Sequence, residues 1–181
     1  NSGNLIVPFS IYLNDGGFST VLIKITNDLL SYTWYTTLSQ DYGYIYDASV
    51  TAFGKDNSDN FYVLTYGSNT VTKINGSGTI IWAKDITASE VPALNGMAVD
   101  NDGNCYVVCG DSDGGTFIRV LKVDTNGNII WSYKITFTSG MEFINQGGYY
   151  YTTNSAVQIK NGYMILLTRV QIQASPLIIE E

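Results

Sequence analysis

The most conspicuous potential metal ligands are two carboxylates and one amide. They belong to Asp100, Asp102 and Asn104, which are spaced as D-x-D-G-N. Calcium loops place oxygen ligands at alternate positions in this way, because hard cations prefer clustered carboxylate and carbonyl oxygens. No glutamate follows at the twelfth position, where such a loop supplies a bidentate carboxylate. Asp, Asn and Gly are also the residues that tight turns favour. We interpret the segment as a turn, with a calcium site as the alternative.

The range of catalytic chemistry is narrow because the sequence contains no histidine. Histidine-dependent nucleophilic triads and histidine-ligated metal centres are therefore excluded. A glycosidase-type pair of carboxylates could still be formed by folding. The acidic residues available for it are scattered along the chain at Asp41, Asp47, Asp85, Glu90 and Glu142. We predict no catalytic residue and no cofactor, and we keep a carboxylate-only hydrolase as an alternative.

Two groups of tyrosines are the best candidates for contact with a ligand or partner. They are Tyr42, Tyr44, Tyr46, Tyr149, Tyr150 and Tyr151. Exposed tyrosines stack on sugars and anchor protein interfaces. An alternating run also sends half of its side chains into a core, so a packing role is the other interpretation. The two cysteines, Cys105 and Cys109, lie about 13 Å apart if they share a strand, too far to form a disulfide, and we predict that both are core residues.

The elements that would position these residues are β-strands, and the stretch from Leu94 to Thr136 shows them best. Apolar residues alternate in four runs, and turn residues separate the first run from the second and the third from the fourth. Asp102-Gly103 and Asn126-Gly127 are typical of two-residue hairpin loops, in which Gly supplies a positive φ. The stretch therefore predicts one four-stranded antiparallel sheet.

This unit is repeated along the chain. The segment Lys73–Trp82 copies Lys122–Trp131 with a shift of 49 residues, and Lys24–Trp34 is a weaker third copy. All three tryptophans of the chain fall at the end of this segment. A four-stranded unit that recurs every 40 to 50 residues or so is typical of a β-propeller. We therefore predict an all-β fold, a β-propeller with four-stranded antiparallel blades.

The repeat also divides the chain. We predict a partial blade 1 at 1–40, blade 2 at 47–87, blade 3 at 93–136 and a partial blade 4 at 150–181. Blade 4 follows an insertion at 137–154, and in it Tyr163 to Gln171 is expected to form one strand. This gives about 3.5 blades, fewer than a propeller usually needs to close, so we expect a fragment of a larger propeller.

Charge and hydropathy limit the partners. The chain has 16 acidic and 9 basic residues, a formal net charge of -7. Nucleic-acid binding needs a concentrated basic surface, so we expect no nucleic-acid partner. No apolar run is long enough to cross a bilayer as a helix, so we expect no membrane insertion.

The segments Gly96–Val108 and Val120–Trp131 resemble the SBBP-type β-propeller repeat of bacterial secreted proteins, and similar repeats occur in structural proteins of marine bacteriophage particles. The resemblance implies a non-enzymatic module in a virion, or outside the cell at its surface, that contacts other subunits or domains of one assembly. A receptor or a cell-surface glycan is a further implied partner. A bacterial secreted or surface adhesion or scaffold propeller is the alternative.

The part of the repeat that ends in tryptophan also resembles the tryptophan-docking motif of quinoprotein dehydrogenases. That resemblance implies that Trp34, Trp82 and Trp131 pack between adjacent blades. A quinoprotein-like enzyme would also need calcium-ligating acids and vicinal cysteines. Cys105 and Cys109 are not adjacent, and we therefore expect a structural and binding role instead.

Overall fold

The computed structural model describes residues 5–12, 18–41, 50–65, 69–86, 93–110, 117–136, 141–143, 156–160, 163–167 and 170–172. These residues form β-strands and the turns between them, and none of them lies in a helix. Every strand pairing is antiparallel. Tyr42, Tyr44, Tyr46, Tyr149, Tyr150 and Tyr151 lie outside the described residues.

Three larger sheets follow one another along the chain. Sheet I contains β1 (Leu5–Tyr12), β2 (Phe18–Ile25) and β3 (Tyr32–Asp41). Sheet II contains β4 (Val50–Lys55), β5 (Phe61–Thr65), β6 (Thr70–Ile74) and β7 (Ile80–Asp85). Sheet III contains β8 (Ala93–Val99), β9 (Cys105–Gly110), β10 (Phe117–Val123) and β11 (Ile129–Thr136). Strands pair in chain order within each sheet, because each connection is a hairpin.

The last part of the chain differs from the prediction. Strand β13 (Ala156–Lys160) pairs with β14 (Tyr163–Leu167), and we call this pair sheet IV. The predicted single strand from Tyr163 to Gln171 is wrong, because β15 (Val170–Ile172) is separate. It pairs with β12 (Met141–Phe143), which lies inside the predicted insertion at 137–154. A long-range partner for this short apolar run leaves no local trace in the sequence.

The hairpin turns also differ from the prediction. In sheet III the amide of Asp100 donates to the carbonyl of Asn104, and the amide of Gly103 donates to the carbonyl of Asp100. Three residues therefore connect the last bonded pair, with Gly103 at φ +85°. The predicted two-residue hairpin is wrong. The extra residue takes the left-handed position that closes a type I turn with a bulge.

Sheet II is buried on both faces. Phe61 and Val63 pack with Leu22 of sheet I, whereas Tyr62 and Leu64 belong to a core shared with sheet III. Strand β5 is therefore buried at every residue, although alternation along a strand normally leaves one face in water. Cys105 and Cys109 lie in the core between sheets II and III, as predicted for small core residues. Burial raises the pKa of the Cys109 thiol to about 12.

Successive sheets pack against each other, most closely through their first strands. The first strands of sheets II, III and IV, which are β4, β8 and β13, contact one another in succession. The approach is so close that a Cβ at Gly54 would overlap the side chain of Val99. The outermost strands β7 and β11 are exposed apart from one half-buried residue each, Trp82 and Trp131. Those two tryptophans therefore mark where an outer strand reaches its neighbour.

Candidate functional site

A lysine and a tryptophan stand side by side at the same place in each of the three larger sheets. The strand register pairs Lys24 with Trp34, Lys73 with Trp82, and Lys122 with Trp131. Directly paired residues in antiparallel strands point to the same face. We call each such pair a lysine–tryptophan socket, because two of the three pairs form hydrogen bonds to a turn of the next sheet.

The first socket holds the β6–β7 turn of sheet II. The indole Nε1 of Trp34 donates to the carbonyl of Gly76 at 3.1 Å, and Lys24 Nζ donates to the same oxygen at 3.2 Å. Gly78 lies against the indole ring, and a Cβ there would be 2.6 Å from Trp34 Cδ2. The turn can approach this closely because Gly78, at φ +88°, has no side chain.

The second socket holds the equivalent turn of sheet III. Trp82 Nε1 donates to the carbonyl of Thr125 at 2.9 Å, and Lys73 Nζ donates to it at 3.1 Å. Gly127 contacts the ring at φ +85°. The acceptor is the second residue of the turn in both cases, and the glycine is the fourth. The two sockets therefore recognise a turn by its backbone.

The turns that fill the sockets are held rigid by their first residue. Asn75 Oδ1 accepts hydrogen bonds from the amides of Ser77 and Thr79 at 3.0 and 2.9 Å. Asp124 Oδ1 accepts from the amides two and four residues further on at 2.9 and 2.7 Å. Side-chain oxygens that bond nearby amides stabilise turns in this way. The carbonyl offered to the socket is thus fixed before it binds.

The third socket, Lys122 and Trp131, opens onto a cavity of about 590 Å³ between sheets III and IV. The described residues that line the cavity are Val99, Asp100, Asn101, Asp102, Tyr106, Lys122, Trp131, Ile159 and Met164. Among the described residues, neither Lys122 Nζ nor Trp131 Nε1 has a hydrogen-bond acceptor, in contrast to the first two sockets. The donors that hold a turn elsewhere face the cavity here.

Aromatic rings form one side of this site. The ring centroids of Trp131 and Tyr106 are 6.1 Å apart, and those of Trp131 and Tyr133 are 5.0 Å apart. Lys122 Nζ lies 5.3 Å from the Tyr106 ring centroid. Aromatic faces attract cations and stack on planar or apolar groups. The site therefore combines stacking surface, two hydrogen-bond donors and a positive charge.

Asp100, the first residue of the calcium alternative, is occupied by its own hairpin. Its carboxylate accepts hydrogen bonds from the amides of Asp102 and Asn104, from Asn104 Nδ2 and from Tyr106 Oη, at 2.8 to 3.2 Å. Partial burial raises the pKa of this carboxyl, but the hydrogen bonds outweigh burial and leave the pKa below its usual range. Among the described residues, no group of three or more His, Cys, Asp or Glu could hold a metal ion. This geometry favours the turn interpretation.

The sequence analysis singled out the tryptophans but missed the lysines. Trp34 and Trp82 each contact a turn of the next sheet, and Trp131 lines the cavity beside sheet III; packing between propeller blades stays a prediction. Lys73 and Lys122 begin the copied segments of sheets II and III, so their shared position was the signal. What the sequence alone hides is that the lysine and the tryptophan are directly paired across two strands.

No family profile matches the chain, and no curated protein matches it. The solved structures to which it is similar include a protein of unknown function from Bacteroides caccae, at 14% identity and a TM-score of 0.40, with 74% of this chain and 47% of that one covered. A protein from Lactobacillus plantarum is 10% identical, with coverages of 94% and 56% and a TM-score of 0.48. The calcium-binding protein regucalcin from Agrobacterium tumefaciens is 13% identical, with coverages of 94% and 63% and a TM-score of 0.43.

The chain spans between about half and two thirds of the length of these solved structures. Within the described residues there is no helix long and apolar enough to cross a membrane. The chain is all-β, and its larger complete sheets are four-stranded and antiparallel.

Proposed function

We propose that this chain is a non-enzymatic binding module built as part of a β-propeller, with four-stranded blades of which about 3.5 are present. The stacking of equivalent strands and the repetition of the same socket at successive boundaries support this fold. A stack of sheets joined by identical contacts can extend around an axis, because each sheet needs only its two neighbours. Blades 2 and 3 correspond to sheets II and III.

The observation that carries the proposal is the cavity beside the third socket. Its volume of about 590 Å³ lies within the range of roughly 300 to 1,000 Å³ that ligand sites occupy. Its lining joins the apolar Ile159 and Met164 to the charged Asp102 and Lys122. The lining is more polar than that of most small-molecule sites, which favours a partner that forms hydrogen bonds.

The described turn carboxylates Asp56 and Asp124, which are not among the acids named above as hydrolase candidates, have structural roles. Asp56 accepts hydrogen bonds from Ser58, Asn60 and Tyr62, and Asp124 accepts them from its own turn. For Asp56 partial burial acts to raise the pKa, and the hydrogen bonds more than offset it, so the pKa is lowered. A glycosidase acid needs a raised pKa to remain protonated at neutral pH. These carboxylates are therefore ionised at neutral pH, and they accept hydrogen bonds within their own turns.

The setting that we propose is a virion, in a tail, fibre or capsid-decorating protein, and the partners are neighbouring subunits, a receptor or a surface glycan. The resemblance of its repeats supports this setting. A bacterial secreted or surface scaffold is the second candidate, supported by the same repeats. Both settings use the module to display loops and cavities to another molecule.

An antibody raised against the purified chain tests the setting. We expect it to label purified virus particles from the source material by immunogold electron microscopy, and to detect the parent polypeptide at a mass that includes further blades. An excess of the purified chain should abolish the labelling, which is the control for specificity. Detection in a bacterial envelope fraction, with none in purified particles, would overturn the virion setting in favour of the bacterial one.

A further inference from the structure

We propose that the third lysine–tryptophan socket binds a glycine-containing β-turn of a partner polypeptide, through the backbone carbonyl of the second turn residue. This inference rests on the proposed binding function, because it names the partner of the same cavity. The turn that fits begins with Asp or Asn and carries glycine at its fourth position. Among the described residues Asn75–Thr79 and Asp124–Asn128 are turns of this kind that fill a socket, and Asp100–Asn104 has the same pattern but lies in the wall of the cavity itself.

The first step of the argument is that this recognition already occurs twice in the molecule. At both closed sockets an indole N–H and a lysine ammonium converge on a single carbonyl, at 2.9 to 3.2 Å. Both acceptors are backbone atoms, so no particular side chain is needed at that position. A ligand with the same backbone geometry would meet the same two donors at the third socket.

The second step is that the third socket has the same construction. Lys122 is paired with both Trp131 and Tyr106, as Lys73 is paired with Trp82 and Tyr62. Lys122 Nζ and Lys73 Nζ each lie 5.3 Å from the centroid of their tyrosine. The donors are therefore preorganised in sheet III as they are in sheet II, and only the turn differs.

The third step is that the cavity lies where a turn lies at the other two boundaries. Trp131 and Lys122 form one wall, and Ile159 and Met164 of sheet IV form another. These two residues belong to β13 and β14. A polypeptide turn would place its carbonyl at the donors and its apolar flanking residues against Ile159 and Met164.

The fourth step excludes a second copy of this chain as the partner through sheet I. The equivalent β2–β3 turn of sheet I has Leu29 at φ 60°, where the other two turns have Gly78 and Gly127. At Gly78 even a Cβ would lie 2.6 Å from the indole it contacts. A leucine side chain at that place would push the turn away from the socket. The turns of sheets II and III are already held within the chain.

The experiment uses a cyclised peptide that copies Val120–Ile130 and therefore contains the turn gripped by Trp82. We expect the immobilised peptide to bind the full chain in surface plasmon resonance. A matched peptide with Gly127→Leu should bind at least about tenfold more weakly, because a side chain would separate the carbonyl from its donors. Trp131→Phe, which keeps an aromatic ring at this position but removes the indole N–H, and Lys122→Met should each weaken binding about tenfold.

Tyr35→Ala is the control for the variants, because Tyr35 is an exposed aromatic residue (61%) on the outer strand of sheet I. It should leave peptide binding unchanged, and the far-ultraviolet circular dichroism of all variants should match that of the parent chain. Equal binding of the two peptides, or undiminished binding by Trp131→Phe and Lys122→Met, would overturn the inference. Failure of the full chain to bind the peptide would overturn it as well.

Three further outcomes identify other occupants, and each overturns the inference. In the two closed sockets the carbonyl lies 42 or 43 residues after the tryptophan. The same spacing counted from Trp131 leads to residues 173 and 174. Peptide binding only after truncation at Ile172 would therefore mean that the chain fills its own socket. Trp131-dependent dimerisation in sedimentation would identify a second copy, and Trp131-dependent binding of tetra-N-acetylchitotetraose without peptide binding would identify a glycan. Particle labelling is independent of these results, so failure here leaves the proposed virion setting standing.

Discussion

The boundary between sheets II and III and the boundary between sheets III and IV contain equivalent lysine–tryptophan pairs. The contacts that the two tryptophans make are different. Trp82 and Trp131 occupy equivalent positions on the outer strands, each paired with a lysine. Trp82 donates to the carbonyl of Thr125, whereas Trp131 lines a cavity. The difference shows that one local pattern can hold a turn of the next sheet or can border a cavity. Under the proposal made above, the second arrangement serves binding.

The tyrosines that are paired with the socket lysines also differ in burial between the two boundaries. Tyr62 and Tyr106 both donate from Oη to the first Asp of their hairpin, at 3.1 and 3.2 Å. Tyr62 is completely buried, because Gly103 of the next sheet covers its hydroxyl. Tyr106 is only partly buried and lines the cavity. Burial raises the pKa of Tyr62 far above its usual value, and the charge of Asp56 adds to the shift.

The largest expected effect comes from replacing the two tryptophans separately. Trp82→Ala should lower the free energy of unfolding by about 3 kcal/mol, because it removes an indole and its hydrogen bond from a packed boundary. Trp131→Ala should cost about 1 kcal/mol or less, because its indole N–H has no acceptor among the described residues. Urea unfolding followed by circular dichroism measures both. Equal losses would mean that the two boundaries are equally closed.

A smaller effect is expected from the glycine that contacts Trp34. Gly78→Ala should destabilise the fold by about 2 kcal/mol, because the residue has a positive φ and a Cβ would overlap the indole. Gly76→Ala is the matched control in the same turn, since its Cβ would have only an ordinary contact at 3.4 Å. It should cost less than about 0.5 kcal/mol. A large loss of stability for Gly76→Ala would mean that a side chain anywhere in this turn is destabilising, whether or not it contacts Trp34.

Removing the two tyrosine hydroxyls tests the second contrast. Tyr62→Phe should lower the free energy of unfolding by about 1 kcal/mol, because it deletes a buried hydrogen bond to Asp56. Tyr106→Phe should cost less, because water in the cavity can replace the lost donor to Asp100. The two variants differ by the same atom, so each is the control for the other. A larger loss of stability for Tyr106→Phe than for Tyr62→Phe would contradict the conclusion that the boundary between sheets III and IV is the more open of the two.

The smallest effect is expected from acidification. Hydrogen bonds within their turns lower the pKa of the Asp56 and Asp100 carboxyls, despite partial burial. A carboxyl with a lowered folded-state pKa adds stability above its unfolded pKa of about 3.9, and this is lost as the pH falls through the folded value. Stability should therefore decline below about pH 4. Urea titrations at pH 7, 4 and 3 should show a weaker decline for Asp56→Asn.

Much of the fold could be predicted from the sequence. Alternation and turn residues give the four strands of sheet III, and the copied Lys–Trp segment predicts the equivalent strands of sheet II. The loop length of the hairpins could not be predicted, because Asp-Gly serves both two-residue and three-residue turns. The pairing of β12 with β15 was missed, because a three-residue strand has too few residues to show a period.

The candidate site could be predicted only in part. The tryptophans are visible as the rarest aromatic residues in the repeat, whereas the lysines look like ordinary surface charges. Their role depends on a register that places Lys73 beside Trp82, with a bulge between Lys73 and Ile74. The site predicted at the tyrosines Tyr42, Tyr44, Tyr46, Tyr149, Tyr150 and Tyr151 lies outside the described residues and stays a prediction.

The sequence by itself determined the repeating antiparallel unit, since strand alternation and turn chemistry act between residues that are close along the chain. It also determined the absence of histidine chemistry. Only the tertiary structure decided which tryptophan is covered. The indole N–H of Trp82 donates to a carbonyl 43 residues away, whereas Trp131 lines a cavity and its N–H has no acceptor among the described residues. Long-range contacts between sheets set that difference, and the two similar local segments cannot encode it.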